Sequence, residues 1–121
     1  MALLASLMFT SIAARAADPI RIGFSMPLTG GLASNGKAIL AAYQMWEEDI
    51  NAKGGLLGRP VKLVYYDDQS NPSLVPAIYA KLFDIDKVDL VFTSYGTNLS
   101  VPSMPVVIPA TMSCWACSRS P

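Results

Sequence analysis

Residues 20–36 read IRIGFSMPLTGGLASNG, and their pattern sets the fold class for the whole chain. Ile20-Arg21-Ile22-Gly23-Phe24-Ser25-Met26 is a short, mostly apolar run closed by Pro27, the pattern of a strand covered on both faces. Leu28 to Gly36 is a loop of glycine and small polar residues, and an amphipathic helix comes after it. In open α/β sheets ligands sit beyond the carboxyl ends of the strands, so this first strand-to-helix loop is the first candidate site.

Outward from that stretch, the alternation continues. The spacing predicts a helix from about Gly36 to Lys53, with Ile39, Tyr43, Trp46 and Ile50 on one stripe and Glu47, Glu48 and Asp49 mostly on the solvated side. Lys53 suits the negative end of that helix, and Gly54-Gly55 suits a left-handed cap. Val61 to Tyr66 reads as a second strand running into Asp67-Asp68. Asn71-Pro72 reads as an N-cap and first helical position, and Val75, Ile78, Tyr79 and Leu82 carry a second helix. Val88 to Phe92 is the third strand, a short helical turn is expected over 99–104, and Pro105 to Ile108 reads as the start of a fourth strand. Strands alternating with helices in this way demand a parallel sheet with right-handed crossovers. The fold class is therefore α/β, a partial doubly wound parallel sheet.

Composition narrows the function. With 121 residues, 52% of them hydrophobic, the chain has the length of one small domain. Nine basic and nine acidic residues leave no net charge, which suggests neither nucleic acid nor an anionic membrane as partner. No histidine is present, so histidine dyads, triads and metal sites are excluded within the chain. Residues 1–17 hold an apolar run too short to span a bilayer, ending in Ala14-Arg15-Ala16, and they read as a signal peptide lacking a basic leading segment. Export is the expectation.

Four motifs bear on chemistry. Gly31 to Ala38, GLASNGKA, lies one residue away from a phosphate loop, but Ala38 stands where the magnesium-binding hydroxyl belongs. Asp67-Asp68 could serve as paired acid–base carboxylates, yet neighbours on a strand point to opposite faces and cannot easily share a proton. Ser94-Tyr95-Gly96-Thr97-Asn98 comes after a buried strand with hydroxyls, an aromatic and exposed backbone, a set able to hold a small zwitterion or amide or to be an ordinary polar loop. Cys114 and Cys117 form a lone C-x-x-C with no further zinc ligand and no helix to open, and they read as incidental. No enzyme, no cofactor and no metal site is expected.

Three blocks together resemble a known family. Ile20-Arg21-Ile22-Gly23 with Pro27-Leu28-Thr29-Gly30, then Asp49 to Pro60 (DINAKGGLLGRP), then Asp67 to Pro72 (DDQSNP), look like the start of type I periplasmic solute-binding proteins. The branch is the one serving ABC importers of branched-chain amino acids, amides and related carboxylates. The match covers roughly residues 19–108, in the family's order and spacing. It implies two α/β lobes closing on a ligand, with residues 18–108 as part of the N-terminal lobe. The family's ligand contacts map to Tyr95, Gly96 and Thr97, with Asn98 beside them and Asn35 on the first loop, where several relatives carry an aromatic.

The resemblance implies extracytoplasmic capture of a small solute, an amino acid, amide or related carboxylate. The partners would be that solute and an importer permease, in the periplasm. The alternatives are a sensory ligand-binding lobe of a regulator or receptor, and a phosphate-loop enzyme, which Ala38 disfavours. Residues 109–121 resemble nothing expected at that point and are taken as an irregular tail, the mark of a frameshift or premature end, which would impair binding.

Overall fold

The computed structural model describes residues 18–117, with side chains through Thr111. The expected signal peptide over 1–17 and the side chains of Cys114 and Cys117 lie outside the described residues. Three strands, β1 (Ile20–Met26), β2 (Val61–Asp67) and β3 (Leu90–Val91), form one parallel sheet in the order β2-β1-β3. Ile22 pairs with Leu63 on one side and with Leu90 on the other, so β1 is the central strand. A strand hydrogen-bonded on both edges and covered on both faces is mostly apolar, and residues 22–26 are all buried, Ser25 among them. The ladder to β3 is extended by Asp89 N–H donating to Arg21 O and Phe92 N–H to Gly23 O, which accounts for the expected span of 88–92.

Helix α1 (Ala33–Ala52) and helix α2 (Val75–Asp84) cover opposite faces of the sheet. On one face Ile39, Leu40, Tyr43 and Ile50 pack on Ile20, Ile22, Phe24 and Met26. Phe24 anchors this layer, edge-on to Tyr43 at 5.2 Å and stacked with Tyr65 at 5.5 Å. On the other face Val75, Tyr79 and Leu82 pack with Val64, Val88 and Val91. Two helices on two faces of a parallel sheet is the doubly wound arrangement the alternation predicts.

Several expectations need correction. Helix α1 starts at Ala33, three residues before the predicted Gly36. Trp46, expected inward, is 37% exposed, and Glu47 takes the inward position instead. The cause is the sheet edge: Glu47 Oε1 accepts from Leu63 N–H at 2.8 Å, and Asn51 both accepts from Val61 N–H at 2.7 Å and donates to Val61 O at 2.9 Å. Polar side chains are needed where an edge strand leaves backbone groups unpaired. Helix α2 begins at Val75 rather than Pro72, because Asn71 closes a separate turn through Ser73 N–H and Leu74 N–H, and Pro76 occupies the first helical turn, where no N–H is required.

The largest difference lies at the end. A short helix α3 (Thr97–Ser100) and a 3₁₀ turn (Val101–Ser103) run straight into α4 (Met104–Cys117). Pro105 to Ile108 is therefore helical, not a fourth strand, and residues 109–117 continue that helix where an irregular tail was expected. Pro105 falls in the first turn, where its missing N–H costs nothing, and Val106 and Val107 pack toward the Tyr79 layer. Burial of that face outweighs the strand preference of three consecutive β-branched residues.

Candidate functional site

Parallel strands send all their trailing loops to one end. Here the loops after β1, β2 and β3 meet beyond the carboxyl end of the sheet, and side-chain hydrogen bonds tie them together. Asp67 Oδ1 accepts from the N–H groups of Leu28 (2.9 Å), Thr29 (3.2 Å) and Gln69 (2.8 Å), and Asp67 Oδ2 accepts from Thr29 Oγ1 (2.6 Å). Burial alone would raise the Asp67 carboxyl, but the hydrogen bonds from Thr29 Oγ1 and from the N–H groups of Gln69, Leu28 and Thr29 outweigh it and hold the group below its ordinary 3.8. Ser70 Oγ donates to Thr29 O at 2.8 Å and accepts from Leu32 N–H at 3.0 Å. Asp68 is fully buried, accepting Ser70 N–H at 3.1 Å and Ser94 Oγ–H at 2.7 Å. Between the two aspartates' targets, Gln69 and Ser70 adopt left-handed φ of 55° and 58°, a conformation non-glycine residues avoid unless their surroundings hold it.

On this platform the predicted site residues take their places. Asn35, in the first turn of α1, and Tyr95, after β3, come together: Asn35 Nδ2 donates to Tyr95 Oη at 3.1 Å. Asn35 comes after β1 and Tyr95 after β3, so a contact between residues 60 apart is a direct result of the β1–β3 pairing. Gly96 sits at φ 80°, ψ 154°, a backbone open only to glycine, and so turns the chain into α3. Thr97 and Asn98 are exposed beside it. The hydroxyl of Tyr79, its ionisation pushed up by burial, donates to Phe92 O and fixes the strand just before this loop. Asn35, Tyr95, Gly96, Thr97 and Asn98 thus lie together beyond the carboxyl ends of β1 and β3.

The geometry also bears on two other motifs. Gly36 N–H bonds Leu32 O at 3.0 Å inside α1, and Gly36 packs against Pro27, so the glycine–lysine pair forms helix and not a phosphate cradle. Asp67 and Asp68 have different hydrogen-bond partners, Thr29 on the loop after β1 for Asp67 and Ser94 on the loop after β3 for Asp68. Among the described residues no group of three His, Cys, Asp or Glu is placed to hold a metal ion, and no helix is long and apolar enough to cross a membrane. Grooves of about 310 Å³ between β2 and α2 and about 350 Å³ at the amino ends of the strands both lie away from Asn35 and Tyr95. Sequence reasoning took the two aspartates for a plain strand ending and missed that they lace the three loops. The signal for it was two acidic residues with small polar ones directly after them at a strand's carboxyl end.

A parallel sheet covered by helices on both faces, with its carboxyl-end loops converging, defines the doubly wound α/β class. Residues 19–110 match the family described as periplasmic binding protein, and the chain belongs to that family. It is 35% identical over 85 residues to an amino acid binding protein of Pseudomonas aeruginosa, an alignment covering 70% of this chain and 23% of that protein. It is 32% identical over 87 residues to Leu/Ile/Val-binding protein homolog 2 of Brucella abortus, covering 72% and 23%. Among solved structures, the branched-chain amino acid transporter substrate-binding protein LivJ of Streptococcus pneumoniae, in complex with isoleucine, superposes with a TM-score of 0.73 at 26% identity, over 77% of this chain and 27% of that one. The structure is thus part of a type I periplasmic-binding-protein fold, and the chain spans about a quarter of the length of these relatives.

Proposed function

We propose that this chain supplies the first-lobe half of a solute-capture site, taking up a small amino acid, amide or related carboxylate outside the cytoplasm for delivery to an ABC importer permease. The observation that carries this reading is the meeting of Asn35 and Tyr95 across the β1–β3 carboxyl ends. A carboxylate would be held by the Thr97 hydroxyl and by backbone N–H groups beside Gly96, with the Tyr95 ring covering the rest of the solute. Capture of this kind needs no nucleophile and no proton shuttle. The ligands in the relatives' names, leucine, isoleucine and valine, set the first panel to test.

Closure needs two lobes, so residues 18–117 assayed by themselves are expected to hold a solute with a dissociation constant on the order of 1 mM. Thermal-shift assays of the chain with isoleucine, leucine, glutamine and a short carboxylate at tens of millimolar test the reading. The expected result is a rise in melting temperature with at least one amino acid or amide and none with ATP–magnesium. A rise with ATP–magnesium alone would overturn it.

A further inference from the structure

We propose that Asp68 is the positioning residue of the solute loop: its carboxyl group fixes Ser94, and through Ser94 the backbone that presents Tyr95, Gly96 and Thr97. This rests on the half-cleft function proposed above. Asp68 is completely buried, and among the described residues it has no ion-pair partner. Burying a carboxyl group without a cation is costly, so its presence calls for a role that an apolar side chain would not fill. Its hydrogen bonds define that role. Asp68 N–H donates to Met26 O at 3.2 Å, at the end of central strand β1. Its Oδ1 closes the left-handed turn through Ser70 N–H, and its Oδ2 accepts Ser94 Oγ–H.

In the order β2-β1-β3 the residue just past β2 therefore reaches over the end of β1 to the loop of β3. One residue holds all three strand ends in register. Ser94 passes the constraint on, because its carbonyl accepts Ser100 Oγ–H at 2.7 Å, so residues 95–99 are pinned at both ends. Within that span Leu99 is fully buried as a plug, which leaves Tyr95 to Asn98 as the presented segment.

The test compares Ser94→Ala, Ser94→Thr, Asp68→Asn and the Asp68→Asn/Ser94→Ala pair in the full chain, with Ile20→Val as a control that weakens the core on the other face of the sheet. Two readouts are taken by NMR: hydrogen exchange of the Leu99 and Ser100 amides, and the isoleucine or glutamine concentration giving half-maximal shifts at Gly96 and Thr97. Ser94→Ala is expected to speed exchange and raise that concentration by about tenfold, the loss of one hydrogen bond to a carboxyl group. Ser94→Thr restores both, and Ile20→Val lowers the melting temperature while moving neither. The effect of Asp68→Asn vanishes once Ser94 is alanine. Equal effects of Asp68→Asn in both backgrounds, or changes in Ser94→Ala no larger than those in Ile20→Val, would overturn the inference. A native chain showing no solute shift overturns the capture reading and the solute part of this one, while the exchange readout still decides whether Asp68 holds the loop.

Discussion

Replacing Gly36 by alanine reverses the sign that helix chemistry alone assigns. Gly36 lies inside α1, and an alanine in a helix interior ordinarily gains about 0.5–1 kcal/mol over glycine. A Cβ at this position would sit 1.9 Å from Pro27 O and 2.8 Å from Pro27 C, both backbone atoms of the segment leaving β1. Backbone cannot swing aside as a side-chain tip can. Restoring an ordinary separation of about 3.5 Å requires roughly 1.5 Å of retreat by the helix. Overpacking of this kind costs about 1–3 kcal/mol, so the net expectation is a loss of about 1–2 kcal/mol. Because Asn35 is the neighbouring residue, the Asn35–Tyr95 hydrogen bond should break with the shift. Urea titration tracked by far-ultraviolet circular dichroism reads the stability, with Gly31→Ala as the control, since nothing lies within 4 Å of a Cβ there. A Gly36→Ala chain as stable as the parent, or more so, would refute the close approach of α1 to β1 on which the site geometry depends.

Three further outcomes rest on the same set of contacts. Asn51→Ala removes two hydrogen bonds to Val61 and should cost about 1–3 kcal/mol; combined with Glu47→Ala it strips the β2 edge, and light scattering should show concentration-dependent association absent from the parent. Asp67 has a folded-state pKa below its ordinary 3.8, so its stabilisation is complete above that value and fades as the pH falls through the lower, folded one; Asp67→Asn should flatten the acid limb of the urea midpoint against pH, and an unchanged limb would contradict the loop-tying role. Finally, β3 pairs only with β1 among the described residues, and Leu90 on it is 49% exposed, so heating the purified chain should give a broad transition with aggregation, whereas a sharp reversible one would count against this.

Much of this architecture was legible because strands buried on both faces leave continuous apolar runs. Residues 20–26 declare themselves in that way, and the alternation with helices forces β1 and β3 parallel, which in turn brings Asn35 and Tyr95 to one end. Less legible were features set by tertiary neighbours. Glu47 points inward because an unpaired N–H of Leu63 awaits it, a demand invisible to hydrophobic periodicity. Val106-Val107-Ile108 carries strand preference, yet α2 offers an apolar face to pack against, so helix wins. The part Asp68 plays was not legible because its partner Ser94 is 26 positions away.

The central claim is that the carboxyl ends of β1 and β3 form one face of a solute site. An ¹⁵N–¹H NMR titration of the chain with isoleucine and with glutamine tests it most directly. Shifts concentrated at the Asn35 side-chain amide and at the backbone of Tyr95, Gly96 and Thr97 are the predicted result. Shifts gathered instead around Arg21, Arg59 and Lys87, at the opposite end of the sheet, or none at all up to tens of millimolar, would contradict it.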